Sequence, residues 1–417
     1  MKLKTLFRNF LALVLTLLLV TQANLPPTNA LEHIRAFTRD IEFDYVTWTL
    51  DALFVKNSQA ALGTVNDLSD EQQKQVVLYY LAVVDRSNQV KAQIDQIYAN
   101  PQITDPETQA ASLLQEQKEL QALLQRLGPL AESILQGQVS ATLAKLGLTL
   151  MGQPIPPVLY HVTSMPYALI VSPRDRIQQD ANISLLPDLS LDQITSLENE
   201  VERSQGVSAL VVEIGGVGVY PTMVMSTTSL SYLVEVIAHE WTHNYLTLRP
   251  LGLNYETSPD LRTMNETTAS ISGKEVGQAV LAAYYPEYLP KPEPEEQNTQ
   301  PEQPAEEPPP FNFQSEMHQT RVTVDKLLAQ GKITQAESYM EQRRAFFWEN
   351  GYAIRRLNQA YFAFYGAYAD QPGGAAGSDP VGPAVRALRQ SSPSLASFIN
   401  RISWMTSFTQ LQQALAP

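Results

Sequence analysis

Apolar residues recur every three or four positions through the first third of the chain, the period of an amphipathic helix. The spacing is clearest over residues 76–84 and 113–124, where glutamine and glutamate fill the other faces. Asn100-Pro101 and Asp105-Pro106 separate the two stretches, and a proline disfavours helical backbone in the residue before it. The pattern predicts a helical region over 31–150 that contains a helical hairpin. Core packing explains the stripes most simply, and a partner-binding coiled coil is the alternative.

The pattern changes after a proline-rich segment at 154–157. Short runs rich in branched and aromatic residues follow at 158–162, 167–171, 209–214 and 217–225. Such residues favour strands, so the runs predict a modest mixed sheet, with a tight turn or bulge at Gly215-Gly216. Helical spacing returns over 229–246, where apolar residues form one face.

A segment at 286–310 contains nine prolines and seven glutamates. This composition cannot bury a core, so a disordered linker is predicted over 286–313. Beyond it, helical periodicity returns at 316–329, 333–368 and 394–415, with the glycine-rich stretch 373–377 as the loosest joint. The predicted fold class is α+β and predominantly helical. An α+β unit over 151–285 stands between the helical region 31–150 and a C-terminal helical domain at 314–417.

The first thirty residues have the layout of a secretory signal. Lys2, Lys4 and Arg8 precede an apolar run at 10–20, and the small residues at 28–30 suit cleavage. The run is shorter than the ~20 residues that cross a bilayer as a helix, which favours removal. An uncleaved anchor that tethers the protein to a membrane is the alternative. The protein is therefore expected to be exported to the periplasm, the cell envelope or the extracellular space.

Charge and cysteine content exclude several classes of protein. The formal net charge is −14. Residues 286–310 contain seven glutamates and one lysine, so this segment contributes −6 of that charge. Without a basic stripe, neither a nucleic acid nor an anionic lipid surface is an expected partner. The absence of cysteine excludes disulfides and thiolate metal sites. The sequence gives no indication of oligomeric state.

Two histidines stand four positions apart in His239-Glu240-Trp241-Thr242-His243, inside the predicted helix. Positions i and i+4 lie on one helix face, so both imidazoles can reach one ion at ~2.0–2.1 Å, as tetrahedral zinc requires. Glu240 lies about 100° around the helix from His239, beside the ion rather than on it. A carboxylate there can act as a general base. Histidines that only cap or pack the helix are the alternative.

A third ligand is expected after the polar loop 252–262. There Met264-Asn265-Glu266-Thr267-Thr268-Ala269 begins a second predicted helical segment. A loop followed by a helix can fold back and present the Glu266 carboxylate to the ion. No spacing ties the pair to the remaining histidines, His33, His161 and His318.

These motifs resemble those of the gluzincin group of zinc metallopeptidases, in which the two-histidine helix is followed by an Asn-Glu-x-x-Ala-like helix. The likeness covers residues 208–280. It implies a zincin-like catalytic unit with Zn²⁺ held by His239, His243 and Glu266. It also implies that Glu240 takes a proton from a zinc-activated water that attacks a peptide bond.

The resemblance implies two further features. Such enzymes lay an extended peptide along an edge strand, which points to residues 208–214 and places the substrate near Gly215 and Gly216. They often take an oxyanion donor from the C-terminal helical part, where Tyr361 and Tyr365 stand at helical spacing. Aromatic core packing is the alternative for each tyrosine.

The sequence therefore predicts an exported zinc metallopeptidase that acts on a peptide or protein. Two alternatives stay open. One is an envelope scaffold whose helical arms bind a partner around a structural metal site. The other is a zinc amidase that acts on cell-wall peptides.

Overall fold

The computed structural model describes residues 30–62, 64–99, 102–289, 311–366 and 380–416. The predicted signal up to residue 29, residues 290–310 of the linker predicted over 286–313 and the glycine-rich joint lie outside these ranges. The described ends of that linker differ from the prediction, since Pro286–Tyr288 forms a short 3-10 helix and a helix begins at Phe313. Within them the fold is α+β and predominantly helical, as predicted. None of the helices in this part of the chain is long and apolar enough to cross a membrane.

The N-terminal part consists of helices α1 to α4, which span Ala30–Arg35, Tyr45–Leu62, Asp70–Ala99 and Pro106–Lys145. Helices α3 and α4 form the predicted hairpin. Asp105 caps α4 by accepting a hydrogen bond from the Thr108 N–H, and Pro106 occupies its first turn, where no backbone donor is needed. The Arg86 guanidinium bonds the Glu116 carboxylate across the two arms, with 2.7 Å between Nε and Oε1.

Two three-stranded sheets follow, rather than the single sheet expected. Strands β2 (Tyr167–Pro173), β3 (Ala181–Leu185) and β4 (Val207–Glu213) form an antiparallel sheet in the order β3-β2-β4. Helix α5 (Leu191–Gln205) connects β3 to β4. Strand β3 was not predicted, although its apolar residues alternate and are buried.

The second sheet is mixed and has the order β1-β6-β5. Strand β1 (Tyr160–Thr163) pairs in parallel with β6 (Thr222–Met225), and β5 (Gly216–Val217) pairs antiparallel with β6. The strand predicted over 217–225 is therefore two strands. Pro221 stands between them and cannot donate a hydrogen bond to a sheet.

Helix α6 spans Leu230–Thr247, close to the predicted bounds, and Ser229 caps its N-terminus. The short helix α7 spans Pro250–Leu253. Helix α8 spans Pro259–Tyr284 and begins well before Glu266, which corrects the expectation that a loop continues to Arg262. The cause is local, because Ser258 caps the helix and Pro259 occupies its first turn.

The C-terminal part contains α9 (Phe313–Ala329), α10 (Ile333–Glu349) and α11 (Gln359–Tyr365). After the next undescribed stretch come α12 (Val381–Ser391), α13 (Leu395–Ile402) and α14 (Phe408–Leu415). The predicted helix 333–368 breaks after α10, and the predicted helix 394–415 is two helices. Helix α12 was not predicted.

The largest hydrophobic core joins all three predicted regions. It contains residues of the α3–α4 hairpin, of α6 and α8, and of α12 to α14. Helices α9 to α11 have a smaller core of their own, and α11 also packs on the antiparallel sheet. Helices α6 and α8, which carry the predicted metal ligands, therefore lie inside a continuous core.

Candidate metal centre

Three ligand-type side chains converge where α6 passes α8. His239, His243 and Glu266 each present one donor atom, and these atoms lie within 4.8 Å of one another. The two Nε2 atoms are 3.0 Å apart. Glu266 Oε2 lies 3.7 Å from His239 Nε2 and 3.5 Å from His243 Nε2. This buried group could hold a metal ion.

Close packing of α6 on α8 brings Glu266 to the histidines. A Cβ at Gly273 of α8 would stand 2.9 Å from the Glu235 carbonyl oxygen and 3.0 Å from His239 Cβ. Only glycine therefore allows the backbones to approach this closely. Beside it, the Thr242 hydroxyl donates to Ser272 Oγ at 2.8 Å. The glycine in α8 is a sequence signal for this approach.

The donor set fits a tetrahedral cation. Bonds of ~2.0–2.1 Å at tetrahedral angles separate ligand atoms by roughly 3.3–3.4 Å, which the three observed spacings bracket. Glu266 Oε2 is buried without a hydrogen-bond partner. Buried carboxylate oxygens are normally paired, and a cation at the point that this oxygen shares with both imidazoles would pair with it.

Neighbouring side chains orient two of the ligands. His243 Nδ1 lies 2.8 Å from Asn265 Oδ1, an acceptor that places the proton on Nδ1 and leaves Nε2 free to bind a metal. The Tyr255 hydroxyl donates to Glu266 Oε1, which turns Oε2 towards the histidines. Arg262 Nε donates to the Tyr255 hydroxyl at 3.4 Å.

The metal-free ligands differ in protonation. Burial and the neighbouring His243 lower the pKa of His239 to about 3, so this imidazole is neutral. Burial alone would lower the pKa of His243, but Glu266 raises it to about 9. Burial alone would raise the pKa of Glu266, but His243 and His239 lower it to about 2. A metal would therefore displace a proton from His243 when it binds.

Glu240 lies beside the ligands and is not one of them. A Cβ at Gly216 would stand 2.9 Å from Glu240 Cγ and Cδ, and closer still to Oε1, so the carboxylate packs directly against the backbone of β5. Burial, aided by the charge of Glu266 and opposed by that of His243, raises the pKa of Glu240 to about 7.

A cavity of about 370 Å³ opens over the three ligands and Glu240. The sequence predicted Tyr361 and Tyr365 as donors here, but neither lines the cavity. The α11 residue that does line it is Phe364, because the two tyrosines share another face of α11, with ring centroids 4.5 Å apart. The prediction that the Tyr361 and Tyr365 hydroxyls lie at the candidate site is therefore wrong.

Two other tyrosines line this cavity, Tyr45 at the start of α2 and Tyr255. The Tyr45 hydroxyl lies 2.8 Å from Ser184 Oγ. Sequence reasoning missed both tyrosines. Tyr255 lies in the segment that was predicted only to be a polar loop. No spacing in the sequence connects Tyr45 to the metal-ligand motif, which lies almost 200 residues later.

Side chains occupy the outer edge of β4, the strand predicted to receive the substrate. The Val211 N–H donates to Glu198 Oε1 at 2.7 Å, and the Val211 carbonyl accepts from Arg355 at 3.1 Å. Asn358 Nδ2 donates to the Ala209 carbonyl at 2.9 Å. A peptide backbone cannot pair with groups that are already bonded. The prediction that a substrate pairs with residues 208–214 is therefore wrong.

Strand β5 faces the cavity instead, at the edge of the mixed sheet. Gly216 and Gly218 line the cavity. Gly215 does not line it, and a Cβ there would collide with the Tyr232 hydroxyl. Of the two glycines predicted near the substrate, the structure therefore places only Gly216 at the candidate site.

No protein-family model matches this chain, and neither a curated protein nor a solved structure does. The assignment of function therefore rests on the chemistry of the site.

Replacing Tyr255 with phenylalanine is expected to weaken the binding of a divalent metal ion at this site by about 10- to 100-fold, the usual effect of removing a group that orients a metal ligand. The variant loses the hydrogen bond that turns Glu266 but keeps all three ligands. Competition against a chromophoric chelator measures the affinity. Tyr288→Phe, at an exposed tyrosine, is the matched control, and equal affinities in both variants would contradict an orienting role for Tyr255.

Proposed function

We propose that this protein is a zinc-dependent metallopeptidase of the gluzincin type, exported from the cell that makes it. One observation carries the proposal. The structure brings three ligand-type side chains together under a cavity that also holds Glu240. Structural zinc sites are normally closed by four protein ligands, whereas catalytic sites keep one position open. The three-ligand set therefore favours the enzyme over the scaffold alternative.

Bound zinc would supply Lewis acidity, which polarises a carbonyl group and makes water a nucleophile near neutral pH. Glu240 then takes the proton from the attacking water and delivers it to the leaving amine. Its contact with the backbone at Gly216 holds the carboxylate in place for both transfers. Tyr45 replaces Tyr361 and Tyr365 as the proposed oxyanion donor, because its side chain lines the cavity, whereas the Tyr255 hydroxyl already donates its proton to Glu266.

The proposed substrate backbone lies along β5. Residues 216–219 line the cavity, and an edge strand can accept an extended peptide through main-chain hydrogen bonds. Because Gly216 has no side chain, the Glu240 carboxylate can lie directly against this strand. This arrangement favours a peptide substrate over a compact amide.

Zinc removal tests the proposed function. The purified protein, after incubation with zinc, is expected to contain one zinc per chain and to cleave casein or a mixed peptide pool. A chelator should abolish cleavage, and added zinc should restore it, with products followed by mass spectrometry. Bound zinc with no cleavage of varied peptides would overturn the peptidase. Cleavage of cell-wall peptides alone would identify the amidase instead.

A further inference from the structure

A second and larger cavity, of about 670 Å³, lies beside the metal centre. It is enclosed by α2, the α3–α4 hairpin and the ends of both sheets. Most of its wall is apolar and includes Val55, Val84, Leu124, Met165, Ile214 and Met225. A preformed apolar cavity of this size is typical of a ligand pocket.

The two cavities adjoin. Ile214 lines both of them. Helix α2 also borders both, with Tyr45 at the metal centre and Val55 in the second cavity, and β2 does so through the adjacent residues Tyr167 and Ala168. The two cavities are therefore neighbours at Ile214, where one extended ligand could reach both.

Helix α2 gives the distance between one wall residue of each cavity. Tyr45 and Val55 are ten positions apart, which at ~1.5 Å per helical residue corresponds to ~15 Å. An extended peptide advances ~3.3 Å per residue and covers this distance in about four or five residues. A peptide that runs beside α2 from its Tyr45 end to its Val55 end would therefore need four or five residues.

A buried charge network holds the cavity wall in place. The Glu132 carboxylate pairs with Lys56 and lies 3.1 Å from His161 Nδ1. It also accepts a hydrogen bond from the Val162 N–H at 2.8 Å, which ties α4 to β1. Glu132 is thus already paired, so a cationic ligand is not needed to neutralise it.

We propose that the apolar cavity binds a bulky apolar side chain of the peptide substrate, about four or five residues from the scissile bond on one side. The inference rests on the proposed peptidase function. The substrate class is thus an extended peptide with a Leu-, Met- or Phe-like residue at that distance. Burial of such a side chain should raise kcat/KM by about 10- to 100-fold over glycine at the same position.

Gly128 offers a way to fill the cavity. It lines the floor from within α4, and an added Cβ would make an ordinary contact with Tyr80 Cε2 at 3.7 Å. Gly128→Leu therefore introduces its Cβ without a clash and adds a side chain at the cavity floor. Gly137→Leu is the matched control, because it lies in the same helix and a Cβ there meets nothing within 4 Å. Ser164→Trp, at an exposed residue of the cavity wall, blocks the cavity independently.

A random peptide library with mass-spectrometric readout measures the preference. The parent and Gly137→Leu should both favour bulky apolar residues at one position, four or five residues from the cleaved bond. Gly128→Leu and Ser164→Trp should reduce that preference to less than about twofold. Cleavage by the parent without such a preference, or a preference unchanged in both blocked variants, would overturn the inference.

Photo-crosslinking separates this inference from the proposed function. Glu240→Gln protein is irradiated with random decapeptides that carry one p-benzoylphenylalanine, and the attachment sites are mapped. Crosslinks at Met165 or Met225 that disappear in the Gly128→Leu background support the cavity, even if the parent cleaves nothing. Crosslinks only elsewhere, in a protein whose parent shows Glu240-dependent cleavage, reject the cavity and leave the peptidase standing.

Discussion

Replacing Glu240 with glutamine is expected to lower kcat/KM for peptide hydrolysis by a factor of about 10²–10⁴, the range that a positioned general base contributes. Glutamine keeps the shape of the side chain and its fit against Gly216. It cannot accept a proton from water. Because Glu240 is not one of the three converging ligands, zinc content should stay at the level of the parent. A fluorogenic peptide measures the rate, and elemental analysis measures the metal.

Glu235→Gln provides the matched control, since it removes another carboxylate from the same helix α6. This variant should cleave at the rate of the parent. Equal activity of Glu240→Gln and the parent would contradict the role of Glu240. A parallel loss of zinc and activity would show that Glu240 acts as a ligand, against the observed geometry.

Replacing His243 with alanine is expected to abolish zinc retention and the stabilisation that zinc provides. Among the described residues, His243 contributes one of the three converging donor atoms. A ligand that binds only the folded state stabilises it by about 2.7 kcal/mol at a free concentration of 100 times Kd. The parent should therefore unfold at a higher temperature with zinc than with a chelator, and the variant should show no difference. Thermal unfolding and elemental analysis check both statements.

His33→Ala, which removes an exposed histidine outside the site, is the control and should keep both zinc and the zinc-dependent shift. Metal-free unfolding must also be measured, because His243 holds the pKa of Glu266 low and its loss affects stability without zinc. If His243→Ala bound as much zinc as the parent, the proposed ligand set would be wrong.

Local sequence signals predicted the elements that carry the metal ligands. The i and i+4 spacing of His239 and His243 needs only a helix, and α6 has close to its predicted bounds because its apolar face and the Ser229 cap are both encoded nearby. The hairpin followed from the two proline-containing breaks, and the structure adds that Asp105 caps the second arm. Each of these features depends on residues within a few turns of one another.

Features that depend on distant contacts were predicted poorly. In the sequence, β4 looks like an ordinary strand. Its outer edge is blocked by the Glu198 carboxylate and the Arg355 guanidinium, which come from distant parts of the chain. The tyrosines of the cavity were misassigned for the same reason. Helical spacing shows that Tyr361 and Tyr365 share a face, but only packing on the sheet decides which face of α11 meets the cavity.

The metal centre combines both kinds of information. Periodicity and spacing specified two imidazoles on one helix and a carboxylate on a later one, because helix geometry repeats locally. Their convergence required α8 to approach α6 at Gly273, and the apolar cavity required α2, the hairpin and two sheet ends to meet around Ile214. Such long-range packing depends on the shapes of many side chains at once, so no pattern along the chain encodes it.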